Sequence, residues 1–462
     1  GALPRAWARL GAEVVVITPR YRCTKTQPAE ETSQVLRIPL GSATIEAKVF
    51  RSSLDGVKVC LLEHDPFYDR DALYGTPQGD YPDNAARFAL LARGAMEFLK
   101  TVGIPDILHA HDWQAGLVPV YARTLYRGLF EKTKCVLTVH NLAFQGMFWH
   151  LDMPLLGLDW KHFNWKELEF YGKINFLKAG LVYADAITTV SPTYAREILT
   201  PEFGCGLDGV LRERAARLRG ILNGVDYSEW NPENDPALAS KYSARAFAGK
   251  AKCKAALQRR CRLPVREVPV IGMIGRLAEQ KGVDIFCQAL EELIREELQI
   301  VVLGSGDAHY QEMLVRLGER YPDRLSVNIA FDNALAHQIE AGADLFLMPS
   351  KYEPCGLNQI YSLRYGTVPV VRATGGLADT VVDASLETLK GGTATGFVFA
   401  EYTADALVTA VRRALATYKD RKTWKKLATT GMKQDFSWDR SAREYLELFE
   451  GFGYCLLYDR VG

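Results

Sequence analysis

The stretch 349–377, PSKYEPCGLNQIYSLRYGTVPVVRATGGL, decides how this chain is read. It sets an acid, Glu353, between the apolar run DLFLMP (344–349) and a Gly-Leu pair that opens a helical pattern. After the run VPVV (368–371), Thr-Gly-Gly-Leu at 374–377 repeats the arrangement. In LNQIYSLRYG, Leu357, Ile360, Tyr361 and Arg364 share one helix face, and Gly366 is placed to stop the helix. Apolar run, polar loop and helix in alternation make a parallel βα sheet, and in open sheets of that kind ligands bind beyond the carboxyl ends of the strands. Two helix N-termini preceded by glycines (Gly356; Gly375 and Gly376) point to an anion site made of free N–H groups. For one loop alone, a plain turn is the competing reading; two adjacent loops weaken it.

The same rhythm runs outward from this stretch. PVIGMIG (269–275), LQIVVLG (298–304) and LSVNIAF (325–331) complete one α/β unit with the two runs above. EVVVITP (13–19), DILHAH (106–111), KCVLTVH (134–140), DAITTV (185–190) and GIL (220–222) read as a second parallel sheet, apolar on consecutive positions as strands covered on both faces are. Between the two lies NGVDYSEWNPENDP (223–236), with the composition of a linker. The expected domains are therefore 1–222, a linker at 223–236, and 237–435, with a last helical segment at 436–462.

At 462 residues, 48% hydrophobic and 24% charged, the chain is long enough for two cores. Its 56 Lys and Arg against 55 Asp and Glu leave a formal charge of +1, so no global field recommends nucleic acid or an anionic membrane as a partner. No apolar run approaches a membrane span. Nine cysteines at scattered spacings, without Cys-x-x-Cys, argue against a disulfide framework or a structural metal site and fit a reducing compartment.

Recognition must then be local. PVIGMIG is followed by Arg276, and Lys281 comes five residues later, just before a helix expected from about Val283. A guanidinium that forks two oxygens beside a mobile ammonium is the pair a diphosphate requires. Each cation alone reads equally well as solvated surface. LGSGD (303–307) is a weak signal that a tight turn explains, and no Walker loop or dinucleotide fingerprint is present.

From IGRLAEQKG through LAHQIEAGADLFLMPSKYEPCGL to GTVPVVRATGGLADTV the chain resembles the starch and bacterial glycogen synthases. HAHDWQAGLVPVY (109–121), TVHNLAFQG (138–146), GILNGVDYSEWNP (220–232) and FSWDRSAREYLELF (436–449) carry the resemblance over nearly its whole length. It implies a retaining glucosyltransferase of GT-B architecture, two Rossmann-like domains facing a cleft, with the last helix crossing back to the first domain. It also implies roles. Arg276 and Lys281 hold the diphosphate of ADP-glucose, Glu353 receives hydroxyls of the donor glucose, and Phe331, closing LSVNIAF, stacks on the base. Cys355, Gly356, Leu357, Thr374, Gly375 and Gly376 surround the phosphate and sugar oxygens, although Cys355 needs no chemical role there and a small buried thiol is its favoured reading. Tyr361 stands where many GT-B transferases carry a ribose-binding acid. Asp112 and His140 line the reacting sugar, and Asn141 and Asn223 join the substrate contacts.

Eight aromatics between Phe144 and Tyr171 suit sugar stacking, but core packing is the expected fate of most of them. The family opens with a strand and a Lys-x-Gly-Gly-Leu loop, whereas this sequence starts at GALPRAW, just past that point, so the first domain is expected to lack that loop and a central strand. Two alternatives follow: a catalytically impaired α-glucan-binding protein of the same fold, or a glucan phosphorylase, which needs a lysine carrying pyridoxal phosphate. The synthase reading needs no cofactor or metal. Its partners are the nucleotide sugar and an α-1,4-glucan, in a plastid stroma or bacterial cytoplasm.

Overall fold

The β-branched runs fold as strands, and their pairing divides them differently from the sequence reading. The structure, a computed structural model, describes residues 1–76 and 78–453. Two compact units are formed. The first comprises Gly1–Val190, Ala195–Ile221 and the residues from Ser441 on; the second comprises Ser191–Tyr194 and Leu222–Arg440. The 223–236 segment thus belongs with the second unit.

The first unit opens with strands β1 (Val15–Pro19), β2 (Glu30–Leu40), β3 (Ala43–Leu54) and β4 (Val57–Glu63). They form a separate mixed sheet in the order β1-β4-β3-β2, in which β1 runs parallel to β4 and the other pairs are antiparallel. EVVVITP is therefore not part of the parallel sheet to which its apolar run assigned it. The cause is local: Asp55 and Gly56, both at positive φ (48° and 83°), make the tight connection that folds β4 back on β3 and presents its far edge to β1.

The parallel sheet of this unit consists of β5 (Ile107–His111), β6 (Lys134–Val139), β10 (Ala186–Thr189) and β11 (Leu218–Gly220), ordered β11-β10-β6-β5. GIL falls mostly beyond the last of these, because the strand ends at Gly220. Between β6 and β10 the chain makes a small antiparallel sheet of β7 (Met147–Trp149), β8 (Glu169–Phe170) and β9 (Lys173–Asn175). The helix Trp438–Glu450 brings Tyr445 and Phe449 against Trp7, and Trp7 Nε1 donates to Ala442 O at 3.3 Å. Residues 454–462 of the expected terminal segment lie outside the described residues.

The second unit holds one six-stranded parallel sheet: β12 (Val270–Ile274), β13 (Gln299–Gly304), β14 (Leu325–Ile329), β15 (Leu345–Met348), β16 (Val368–Arg372) and β17 (Phe397–Phe399). Its order is β14-β13-β12-β15-β16-β17. Alternate residues serve two apolar layers, Ile271, Ile300 and Val302 on one face and Val270, Val301 and Leu303 on the other, so both faces are covered. The third strand from one edge comes first in sequence, and its two neighbours continue in opposite directions. The carboxyl ends of β12 and β15 therefore flank the topological switch point, where such sheets bind ligands. No helix among the described residues is long and apolar enough to cross a membrane.

Candidate active site

The loops leaving β12 and β15 are joined by charge and backbone. Glu353 is only 5% exposed, and its Oε2 accepts from Lys281 Nζ at 2.6 Å and from Ser350 Oγ at 3.0 Å. A buried carboxylate needs such a partner, since leaving it unpaired costs several kcal/mol. Its second oxygen, Oε1, has no hydrogen-bond donor among the described residues. Lys351 N donates to Gln280 O at 3.0 Å, and Arg276, exposed, donates through Nη2 to Gln280 Oε1 at 2.7 Å. Arg276 and Lys281 are thus brought together on one loop, but the ammonium is already engaged, so an incoming anion has to share it with Glu353.

The glycines after β16 do a different job from the one expected. Gly375 has φ +44°, and a Cβ there would lie 1.9 Å from Glu353 O; at Gly376 it would lie 2.0 Å from Cys355 O. Gly376 N donates to Glu353 O at 3.1 Å, and Thr374 N donates to Arg372 O at 2.9 Å. These residues let the helix Gly375–Thr380 press onto the Glu353 loop, with the Gly376 amide bonded to that loop and the Thr374 amide to the end of β16. In contrast, the N–H groups of Gly356 and Leu357, before the helix Asn358–Arg364, have no acceptor among the described residues.

The remaining expected residues of this unit separate by environment. Burial pushes the Cys355 thiol up to about 12, against a hydrogen bond from the Asn223 backbone, so it is a neutral, enclosed group. Tyr361 lays its ring on Trp230, centroids 3.9 Å apart. Phe331 does not close a strand: β14 ends at Ile329, and the ring is 97% exposed just before Asp332, which caps the helix Asn333–Gly342 by accepting from Leu335 N. Sequence reading missed the braces. Asn358 Nδ2 donates to Ile274 O at 2.8 Å, tying the helix start to β12. Gln359, fully buried, donates from Nε2 to Cys355 O, Gly356 O and Thr380 Oγ1. Gln359 lies on the side of the helix opposite the face shared by Leu357, Ile360, Tyr361 and Arg364, so the helical pattern carried no signal of its role.

In the first unit, Asp112 follows β5 at φ +54°, an uncommon conformation for a non-glycine residue. It lets one carboxylate reach both parts of His140: Oδ1 accepts from His140 N at 2.7 Å and Oδ2 meets Nδ1 at 3.0 Å. The ring is fixed through Nδ1, leaving Nε2 as its other hydrogen-bonding atom. Asn141 turns its side chain inward to its own loop, Oδ1 accepting from Ala143 N at 3.0 Å.

Core packing does not account for the aromatics of 144–171. Phe144, Trp149 (62%), Trp160, Trp165 (68%) and Tyr171 (84%) are exposed, and Phe148, Phe163 and Phe170 are half-buried. The segment displaying them is braced from within. The buried Lys178 donates to Trp165 O and Glu169 O, both at 2.5 Å, and Glu167 Oε2 meets Tyr183 OH and His162 Nδ1, each at 2.7 Å. Trp149, His150, Phe163 and Trp160 follow one another at centroid spacings of 5.8, 6.0 and 5.8 Å.

Residues 1–213 match the starch synthase catalytic domain family and residues 258–430 the family of glycosyl transferases group 1. A glycogen synthase of Koribacter versatilis (strain Ellin345) is 51% identical over 97% of this chain and 93% of its own length. The chain belongs to the starch and glycogen synthase family. Another family member, the glycogen synthase of Anaeromyxobacter dehalogenans (strain 2CP-C), is 50% identical over 97% of the chain and 94% of its own. Among solved structures, the catalytic domain of starch synthase IV from Arabidopsis thaliana, bound to ADP and acarbose, matches with TM-score 0.89 and 32% identity, covering 97% of this chain and 94% of that one. Sucrose-phosphate synthase from Thermosynechococcus elongatus shares the fold at TM-score 0.57 and 18% identity. The chain is therefore a GT-B glycosyltransferase of that family.

Proposed function

We propose that this synthase transfers glucose from ADP-glucose to the non-reducing end of an α-1,4-glucan with retention of configuration. The observation that carries the reading is the Lys281–Glu353 pair at the switch point, with Glu353 Oε1 and the Gly356 and Leu357 N–H groups left without partners among the described residues. A diphosphate takes the positive side of that arrangement, Lys281 with Arg276, and a sugar hydroxyl takes the open carboxylate oxygen. As the anomeric C–O bond breaks, positive charge grows on the sugar and negative charge on the departing diphosphate; the fixed carboxylate and the two cations face those charges in the right order. Positioning and electrostatics do the work.

The side-chain partners of Glu353 among the described residues are Lys281 and Ser350 and not a second acid of the kind a two-acid mechanism uses, and the Cys355 thiol, pushed up to about 12, is held neutral. We therefore assign retention to an internal return on the same face, the departing phosphate taking the acceptor proton. The Asp112–His140 pair and Asn141 are assigned to the transferred sugar, Phe331 to the base, Tyr361 to the ribose, and the aromatic display of 144–171 to the glucan, whose pyranose faces are apolar and edges hydrogen-bonding. ADP-glucose is a substrate, and the reading needs no resident cofactor or metal. Nucleic acid and membrane have no part in it. The bacterial glycogen synthases among its relatives support a bacterial cytoplasm as its location and glycogen as its product. Neither a glucan phosphorylase nor an inactive glucan-binding protein is favoured by these relatives.

The test is transfer of labelled glucose from ADP-glucose or UDP-glucose to a maltooligosaccharide, with the anomer of the new bond read by NMR. An α-linked product formed faster from ADP-glucose is expected. A β-linked product, or phosphate-dependent release of glucose 1-phosphate without donor-driven elongation, would overturn the reading.

A further inference from the structure

Trp230 lies in NGVDYSEWNPENDP, a segment whose composition announces only a turn. Its indole is clamped between two rings of the second unit. His337, on the helix Asn333–Gly342, stacks on one face at 3.9 Å and 9°, and Tyr361, on the helix Asn358–Arg364, stacks on the other at 3.9 Å and 7°. The clamp is fixed from behind: Asp235, 2% exposed, meets His337 Nδ1 at 2.7 Å and accepts from Tyr365 OH at 2.5 Å and Ala237 N at 2.8 Å. Against the effect of burial, these hydrogen bonds hold its carboxyl below its ordinary value. Tyr361 and Tyr365 are four residues apart and share a face of their helix. The segment therefore grips that helix at two points one turn apart, which fixes both its rotation and its axial position.

Directly before this helix stand Glu353 and the open N–H groups of Gly356 and Leu357, and its first residue, Asn358, is bonded to the end of β12. Tyr361 OH makes no hydrogen bond among the described residues, although its ring is held on one face by Trp230. We propose that Trp230 is a positioning residue for the nucleotide-sugar donor, acting through Tyr361 and its helix to set the Glu353–Leu357 loop. The inference rests on the donor-site reading given above.

Calorimetry with ADP and steady-state kinetics, below the unfolding temperature of each variant, test it. Wild type, Trp230→Leu, Trp230→Phe and Tyr361→Ala are compared, with Trp230→Leu also made in the Tyr361→Ala background. Leucine fills volume without a stacking face; phenylalanine keeps one. Trp230→Leu is expected to weaken ADP binding and to raise the donor KM, lowering kcat/KM for the donor about 10- to 100-fold, the usual scale for displacing a binding group by about 1 Å. The glucan KM stays within about twofold of wild type, and Trp230→Phe recovers most of the loss. In the Tyr361→Ala background the further effect falls below about twofold, because coupled residues do not add. Unchanged ADP affinity in Trp230→Leu, a parallel rise in glucan KM, or full additivity with Tyr361→Ala overturns the positioning role. Absence of ADP binding by the wild type instead overturns the donor-site reading beneath it.

Discussion

The switch-point loops of the second unit and the 144–175 excursion of the first make opposite use of buried charge. At the switch point the charged groups are the proposed working parts: Glu353 and Lys281 are paired at 2.6 Å, with one carboxylate oxygen open among the described residues. In the excursion the buried ammonium of Lys178 donates to main-chain carbonyls, and the groups left outside are aromatic rings. Hydrogen-bonded charge is thus assigned to chemistry in one place and to scaffolding in the other. Residue type does not tell the two apart; what remains unsatisfied does. An open carboxylate oxygen points to a ligand with hydroxyls, whereas an exposed ring on a braced loop points to one with an apolar face.

The sharpest attempt to break this comparison is Glu353→Gln, which keeps the shape and removes the charge. Lys281 loses its partner, and the growing positive charge on the sugar loses its counter-charge. Turnover is expected to fall on the order of 10²–10³-fold, the scale for deleting one preorganised electrostatic group, while ADP affinity holds or rises because the ammonium is freed. A loss of ADP affinity matching the loss in turnover would show that Glu353 only builds the loop.

Gly375→Ala tests whether that loop is positioned by close packing. A methyl 1.9 Å from Glu353 O, at φ +44°, forces either the carbonyl or the start of the helix Gly375–Thr380 to move. A loss of roughly 3 kcal/mol is expected, seen as a fall in Tm of roughly 6–12 °C. Gly391→Ala, with nothing within 4 Å of the added methyl, is the control and leaves Tm within a few degrees. Equal Tm values for the two variants would remove the packing argument.

These contrasts also show what the sequence could disclose. The alternation of runs, loops and helices was readable in the second unit because its central strands are covered on both faces and so are apolar on consecutive positions. Candidate site residues could be nominated where they follow apolar runs that fold as strands, as Glu353, Arg276, Asp112 and His140 do. EVVVITP was misplaced because an apolar run records burial and not the partner; the Asp55-Gly56 turn, visible in the sequence, carried the missing information. Glycine at 375 and 376 announced a close approach without saying whether a ligand or a neighbouring loop makes it. Trp230 and Asp235 read as a linker because their partners lie more than a hundred residues away, beyond any local pattern.

A third buried charge lies behind the site. Glu340 Oε2 accepts from Ser362 Oγ at 2.6 Å, but Oε1 has no partner, and burial pushes this carboxyl up to about 8, opposed by the Ser362 hydroxyl and the Lys250 charge. With its ordinary value at 4.5, the folded state holds a proton between there and about pH 8 that the unfolded chain releases. Its contribution to stability is present below pH 4.5 and is lost as the pH rises toward 8. Glu340→Gln keeps a neutral group in place, so urea midpoints measured at pH 5, 6, 7 and 8 should show the variant gaining on wild type at each step. Parallel midpoints would mean that Glu340 does not change its protonation between pH 5 and pH 8.

The smallest expected effect belongs to the display. Trp165 is 68% exposed, with Lys166 Nζ 5.3 Å from its ring, so Trp165→Ala should move stability by no more than about 0.5 kcal/mol. The main-chain carbonyl of Trp165, which Lys178 holds, is untouched by the substitution. If the ring meets a pyranose face, the half-saturating glucan concentration should rise about two- to tenfold, matching the roughly 0.5–1.5 kcal/mol of an aromatic contact, with ADP affinity unchanged. Lys178→Met acts on the same function from beneath: with the brace removed, Trp165 remains but is no longer held, and glucan affinity should fall together with thermal stability. Loss of glucan affinity in the lysine variant but not in the tryptophan variant would assign glucan binding to the shape of the excursion rather than to this ring. Unchanged affinity in both would break the comparison at its second member, leaving the exposed rings outside the reaction.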